Sequence, residues 1–168
     1  MLEVNNLKTH FRLENSVPVQ AVGGVSFSIA PGETVALVGE SGSGKSVTAF
    51  SIMQLLPDNA FHPDGEILFE GRDILKQSPA QLRRLRGNDM AMIFQEPMTS
   101  LNPLKRVEKQ ITEPLEIHQS MQREEARQEA LQLLRHVGIP APEDRLRNFP
   151  HELSGGMRQR IMIAMALA

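Results

Sequence analysis

One stretch constrains the fold of this chain more than any other. Residues 34–38 (TVALV) run straight into Gly39-Glu40-Ser41-Gly42-Ser43-Gly44-Lys45-Ser46. A short apolar run without alternation reads as a strand buried on both faces. The eight residues after it match G-x-x-x-x-G-K-[ST]. Residues 46–56 then read as a helix, which Pro57 stops. Strand, glycine loop and helix in that order form a phosphate-binding device. Gly39, Gly42 and Gly44 let the loop curl so that backbone N–H groups point inward at phosphate oxygens. The helix that follows offers its free N–H groups and the positive end of its dipole to the same anion. Lys45 adds a point charge, worth about 4 kcal/mol per charge pair at about 4 Å and an effective dielectric near 20, before desolvation. The Ser46 hydroxyl is suited to Mg²⁺. The loop implies nucleotide binding. By itself it names neither the nucleotide nor the work that hydrolysis drives.

The rest of the chain fits an α/β domain with a largely parallel sheet. Residues 2–7 and 21–29 read as strands, the second alternating Val25, Phe27 and Ile29 with Ser26 and Ser28. Residues 66–69 and 90–94 (MAMIF) are further strand candidates, the latter buried. Helices are expected at 81–85, 107–118, 123–137 and 157–168. The helix at 123–137 places Ala126, Ala130, Leu133, Leu134 and Val137 on one face. The domain plan is a β subdomain and phosphate-loop core at 1–96, a helical subdomain at 97–150, and a final motif and helix at 151–168.

Composition narrows the function classes. Of 168 residues, 40% are hydrophobic, which suits a packed core, and with no Trp or Tyr that core is aliphatic. The chain has no cysteine, so a disulfide framework and thiolate metal sites are excluded. The formal net charge of -2 argues against a nucleic-acid surface. The run Leu82-Arg83-Arg84-Leu85-Arg86 has no interleaved aromatics and reads as a solvated helix face. No leader is recognised at the N-terminus, and no apolar run approaches the ~20 residues of a membrane span. Attachment to a membrane through a partner stays open. The five histidines, His10, His62, His118, His136 and His151, read as surface or helix-face polar residues, and no His/Asp/Glu metal cluster is expected.

Two later motifs select among phosphate-loop proteins. Gln95 ends the run MIFQEP, and LSGGMRQR begins at Leu153. With the phosphate loop, in that order, they make the chain resemble the nucleotide-binding subunits of ABC transporters over its whole length. The strings AVGGVSFSI, LVGESGSGKSVT, MAMIFQEPMTSLNP and FPHELSGGMRQRIMIAMALA resemble the bacterial oligopeptide/dipeptide importer subfamily. That subfamily includes peptide, nickel and glutathione systems.

The resemblance implies a phosphate-loop NTPase fold with an N-terminal antiparallel β subdomain and a helical insertion. It implies ATP and Mg²⁺ as cofactors, with nucleotide contacts from Gly39, Glu40, Ser41, Gly42, Ser43, Gly44, Lys45, Ser46 and Val47. Lys45 and Gln95 are then the catalytic candidates, and Ser46 and Gln95 the Mg²⁺ ligands. Phe11 is the best match to the aromatic that stacks on adenine; it also suits an ordinary core position in a strand. Ser154, Gly155 and Gly156 would grip ATP held by a partner chain. Met157 stands where the common signature has Gln, as is usual in the subfamily. Implied partners are a second ATP-binding subunit in a head-to-tail dimer and permease subunits docking near Gln95 to Leu104. A periplasmic solute-binding protein is engaged indirectly, and no nucleic acid is involved. The implied location is the cytoplasmic face of the inner membrane. The implied activity is ATP hydrolysis coupled to import of peptides or related small solutes.

The family's next strand, with its Mg²⁺ aspartate and general-base glutamate, does not occur within the 168 residues. The chain is therefore expected to be a fragment, incomplete as a fold and inactive alone. Two other readings remain. A soluble ABC-type ATPase of nucleic-acid maintenance or translation would carry a coiled coil, zinc insertion or basic arm. A non-catalytic nucleotide-binding module would lack the glutamate.

Overall fold

The computed structural model describes residues 1–14, 16–95 and 100–168. They form two compact units, Met1–Leu82 and Arg83–Ala168.

The first unit is built on an antiparallel sheet. Strands β1 (Leu2–Phe11), β2 (Val19–Ile29), β4 (Glu66–Phe69) and β5 (Arg72–Asp73) lie in the order β2-β1-β4-β5, and β3 (Ala60–Phe61) pairs with the end of β1. Val4 and Leu7 are both fully buried, although strict alternation would put them on opposite faces. A bulge resolves the conflict. Val4 pairs with Phe27 and Leu7 with Val25, so β1 carries one more residue than β2 across the step. Asn6 takes the left-handed conformation there, with φ 47, and its N–H donates to Ser26 Oγ at 2.8 Å. On the facing strand Gly24 has φ 105, and a Cβ there would lie 2.8 Å from Asn6 Oδ1. Beyond the bulge Val22, Ile67 and Ile74 complete an aliphatic core. In β2 the alternation is as expected: Val25, Phe27 and Ile29 are half-buried, and Ser26 and Ser28 are exposed.

Helix α1 (Lys45–Met53) follows the glycine loop, a 3-10 turn covers Ile74–Lys76, and α2 (Pro79–Leu85) crosses the boundary between the units. Two expected strands are absent. Residues 34–38 have no regular structure, and Val35, Leu37 and Val38 are exposed. Residues 90–94 make a single parallel bridge, Met90 to Arg86, and Ile93 and Phe94 are exposed. All ladders between the named strands are antiparallel. The physical reason is pairing. An interior strand exists only where neighbours accept and donate along both of its edges. Among the described residues neither run meets such neighbours.

The second unit is helical: α3 (Val107–His118), α4 (Arg123–His136), the short α5 (Pro142–Arg145), a 3-10 turn at Pro150–Glu152 and α6 (Gly155–Leu167). Helix α4 has Glu124 and Glu125 in its first turn and Arg135 and His136 in its last, matching the helix dipole at both ends. It ends at Gly138, whose φ of 71 suits glycine, and the Ile139 N–H returns to the Leu134 carbonyl. Ala126, Ala130 and Leu134 are buried as the periodicity requires, and Leu133 and Val137 pack at the edge of the core. That core joins α3, α4 and α6 through Ile111, Leu134 and Ile161. Buried Gln110 ties the preceding loop to α3. Its amide nitrogen donates to the Asn102 and Lys105 carbonyls, and its oxygen accepts from the Asn102 N–H. Among the described residues no helix is long and apolar enough to cross a membrane.

Gly65 tests the first unit's packing. Its φ is +98, and a Cβ would lie 2.5 Å from the Asn6 carbonyl oxygen and 2.7 Å from Leu7 Cα. Gly65→Ala should cost about 2–4 kcal/mol, combining left-handed strain with overpacking against backbone. Urea unfolding of the variant against the parent measures this.

Candidate nucleotide-binding site

The glycine loop needs its glycines for different reasons. Gly42 has φ +82 with open space around the position of a Cβ, so its requirement is conformational. Gly44 has φ +90 and is also a packing glycine: a Cβ there would lie 2.5 Å from the Ala21 carbonyl oxygen of β2. The loop is pressed onto the sheet at this point. Gly39 faces Ser43, whose hydroxyl would lie 2.7 Å from a Cβ.

Lys45 closes the loop. Its ammonium donates to the Gly39 and Glu40 carbonyls, each at 2.7 Å, and reaches Ser43 Oγ at 3.3 Å. The Ser43 N–H completes the curl on the Glu40 carbonyl at 3.2 Å. Gly44 caps α1 and offers no side-chain bond to the helix end, and the first turn holds no acidic residue. Nothing of the helix's own therefore neutralises its positive end. Ser41 and Ser46 are exposed, Val47 is half-buried and Thr48 is buried. An ammonium, glycine-lined backbone and an uncapped helix start are combined in one place. The arrangement can hold an anion of phosphate type, with the Ser46 hydroxyl available to a cation.

Phe11 is half-buried at the end of β1, paired with Val19 and Ala60 in the same unit as the loop. Gln95 is exposed in the second unit. Residues 96–99 of the expected permease groove lie outside the described residues. Beyond them Leu101 is buried, and Leu104 is exposed.

Leu153 is buried in the core of the second unit, and Ser154 caps α6 by accepting from the Met157 N–H at 3.4 Å. Gly155 and Gly156 are exposed, with open space where a Cβ would stand and no left-handed φ. Among the described residues of their own unit, nothing asks for glycine. Met157 packs against the core and points no polar group outward.

Sequence reasoning missed two features. The first is the contact of Gly44 with β2, since a motif glycine gives no sign of which backbone it approaches. The second is His62, expected as a surface or helix-face residue. It is half-buried, within 3.2 Å of Thr9 Oγ1 and 3.3 Å of the Lys8 carbonyl. Burial pushes its pKa below the ordinary value, and the Lys8 carbonyl opposes that in smaller measure. The available signal was α1's inward face, where Thr48 and Ser51 stand at helical spacing in place of aliphatic residues. Among the described residues no group of three or more His, Cys, Asp or Glu could hold a metal.

The family profile described as ABC transporter matches residues 22–168. The chain belongs to the ABC transporter family. All of this ABC transporter chain aligns with the peptidoglycan transport ATP-binding protein YejF of Agrobacterium fabrum at 60% identity, covering 31% of that protein. It aligns equally fully with the oligopeptide transport ATP-binding protein OppD of Bacillus subtilis at 53% identity, covering 47% of it. The chain thus spans 31% and 47% of the lengths of these two curated relatives, less than half of each. Among solved structures it is similar to the dimeric ATP-binding cassette MJ0796 bound to ADP and Pi. The TM-score is 0.85 at 28% identity, covering 100% of this chain and 69% of that one. The expected α/β cassette class rests on this likeness, although the two interior strands are not formed in the described residues.

The two kinds of glycine should separate in stability measurements. Gly44→Ala should destabilise the first unit by about 2 kcal/mol or more, through strain and the clash with Ala21. Gly156→Ala should be neutral or stabilising by up to about 1 kcal/mol, because alanine is the better helix former. Chemical denaturation of both variants measures the contrast.

Proposed function

We propose that this chain is the ATP-binding part of an importer that takes up peptides or related small solutes. The observation that carries this reading is the pairing of an intact phosphate loop with a glycine pair that its own fold does not require. Lys45 leaves the Gly39 and Glu40 carbonyls for the β- and γ-phosphates, an exchange that charge–charge attraction favours. Backbone N–H groups from Gly39 to Val47 cradle the phosphates, and Phe11 stacks on adenine. By family resemblance, Ser46 and Gln95 are the residues that would hold Mg²⁺, and Gln95 is the one that would reach the attacking water. The ion supplies charge neutralisation at the transferring phosphoryl group. Residues 1–96, 97–150 and 151–168 act as loop-bearing core, helical subdomain and signature helix.

Ser154, Gly155 and Gly156 grip the γ-phosphate of ATP held by a second ATP-binding subunit or domain. A helix start with no side chain in the way lets the partner's nucleotide approach the N–H groups closely. Two glycines early in a helix cost up to about 1 kcal/mol each relative to alanine, and the fold gains nothing in return. A ligand from outside accounts for keeping them. ATP then joins two chains head to tail, and hydrolysis releases them. The dimeric MJ0796 cassette supports this reading by likeness.

Permease subunits dock near Gln95 to Leu104, a solute-binding protein acts through them, and the protein works at the cytoplasmic face of the inner membrane. Relatives named for oligopeptide, dipeptide and peptidoglycan transport support the substrate class. No observation favours a nucleic-acid machine.

Ser154→Arg tests the trans contact. The variant should bind ATP as the parent does and lose ATP-driven dimerisation, read by light scattering after size exclusion. Lys45→Ala should lose both. Dimerisation that survives Ser154→Arg would remove the signature from the reading.

A further inference from the structure

Helix α1 carries the phosphate loop at its N-terminus, and the residues it buries most deeply are polar. Its buried residues are Thr48 and Ser51, and both bear hydroxyls. Ser51 and Thr9 of β1 are fully buried, with Ser51 Oγ and Thr9 Oγ1 3.0 Å apart. Ser51 Oγ donates to the Val47 carbonyl at 2.8 Å. A hydroxyl has one proton, so Ser51 must accept from Thr9. Thr9 has then spent its own proton and must accept from His62 Nδ1, 3.2 Å away. That N–H also faces the Lys8 carbonyl at 3.3 Å. Nε2 keeps a lone pair and lies 3.4 Å from the Gln54 amide nitrogen, which donates to the Ser51 carbonyl at 2.6 Å. Counting protons therefore allows one direction: His62 to Thr9 to Ser51 to the Val47 carbonyl.

We propose that Thr9, Ser51 and His62 are positioning residues for the nucleotide site, a hydrogen-bond relay that sets where α1 holds Lys45 and Ser46 relative to β1. This rests on the loop binding nucleotide, as proposed above. The relay ends on Val47, directly after Ser46. Hydroxyl chains are directional, so they fix the rotation of a helix where an aliphatic face would tolerate sliding. Only Thr48 and Ser51 of α1 are buried, and its apolar side chains Val47, Phe50, Ile52 and Met53 are half-buried, so the hydroxyls are its most deeply placed contacts with the sheet.

The relay needs a neutral ring with its proton on Nδ1. A protonated ring would aim Nε2–H at the Gln54 amide group. Turning that amide over would set its oxygen against the Ser51 carbonyl, so a contact is lost either way. Burial disfavours the charged ring, and the Lys8 carbonyl favours it less strongly. Asp58 shares with His62 the wall of a cavity of about 290 Å³, also lined by Gln54, Leu56, Pro57 and Ala60. The Lys8 ammonium is paired with Asp64 at 2.9 Å. The relay is thus intact above the ordinary histidine value of about 6.5 and opens as pH falls through the lowered value of the folded state.

The test uses the purified protein with Thr9→Val and His62→Asn, whose amide nitrogen can replace Nδ1–H. Without nucleotide, the amide signals of Lys45 and Ser46 should titrate with the His62 ring between pH 8 and 5. In both variants they should be flat. Mg–ATP affinity by calorimetry should fall about fivefold or more in Thr9→Val at pH 8 and stay within twofold in His62→Asn. The parent should lose affinity relative to His62→Asn as pH falls through the lowered His62 value found in that titration, a ratio that cancels the nucleotide's own protonation. Amide signals that ignore His62, or a Thr9→Val variant as tight as the parent, would overturn the relay. Coupled amide signals in a parent that binds no nucleotide would uphold the relay and sink the nucleotide reading instead. Should Thr9→Val fail to fold, the comparison of the parent with His62→Asn still decides.

Discussion

The phosphate loop can stand where it does because Gly44 lets it touch β2. A side chain at that position would begin 2.5 Å from the Ala21 carbonyl oxygen, closer than any Cβ can sit. The loop is therefore not a free crest on the sheet. Its last turn is pressed against backbone, and α1 starts from that contact. The position of β2 depends in turn on the Asn6 bulge, where the Asn6 N–H holds Ser26 and Gly24 leaves room for the Asn6 side chain. The bulge is what lets Val4 and Leu7 share the buried face. A chain of small steric permissions thus runs from an aliphatic core to the ammonium of Lys45.

Glycines carry two messages in this protein. Gly24, Gly44 and Gly65 answer to their own chain, since each has a left-handed φ and backbone or side-chain atoms where a Cβ would go. Among the described residues, Gly155 and Gly156 answer to nothing within 4 Å. Side chains are missing there in a helix that would be firmer with them. Leu153 and Met157, on either side, are engaged with the core of their unit, so the motif is anchored at its flanks and bare at its centre. That division of labour is what a surface made to receive another molecule requires.

The helical periodicities were legible. Helix α3 spans Val107–His118 as expected, and α4 stops one residue short of the expected 137 because Gly138 ends it. Strand β4 is likewise where the sequence puts it. The runs TVALV and MAMIF misled for a definable reason. A continuous apolar run reports that a segment is fit to be buried between two neighbours, and it does not supply those neighbours. The Thr9–Ser51–His62 relay was illegible because its members lie far apart in sequence and none belongs to a motif. Only the hydroxyls on α1's inner face hinted at it. The glycine loop was legible as a sequence pattern, but its seating was not, because seating is a property of the surface beneath.

The central claim is that each nucleotide is held by the loop of one chain and the signature of another. Mixing two defective chains tests it most directly. Lys45→Ala chains keep the signature and lose the loop; Ser154→Arg chains keep the loop and lose the signature. A head-to-tail pair made of one of each contains one wholly intact site and one wholly broken site. The mixture, with Mg–ATP, should form heterodimers holding one nucleotide per pair, while each variant alone stays monomeric. A mixture that remains monomeric under conditions where the parent dimerises would contradict the shared site.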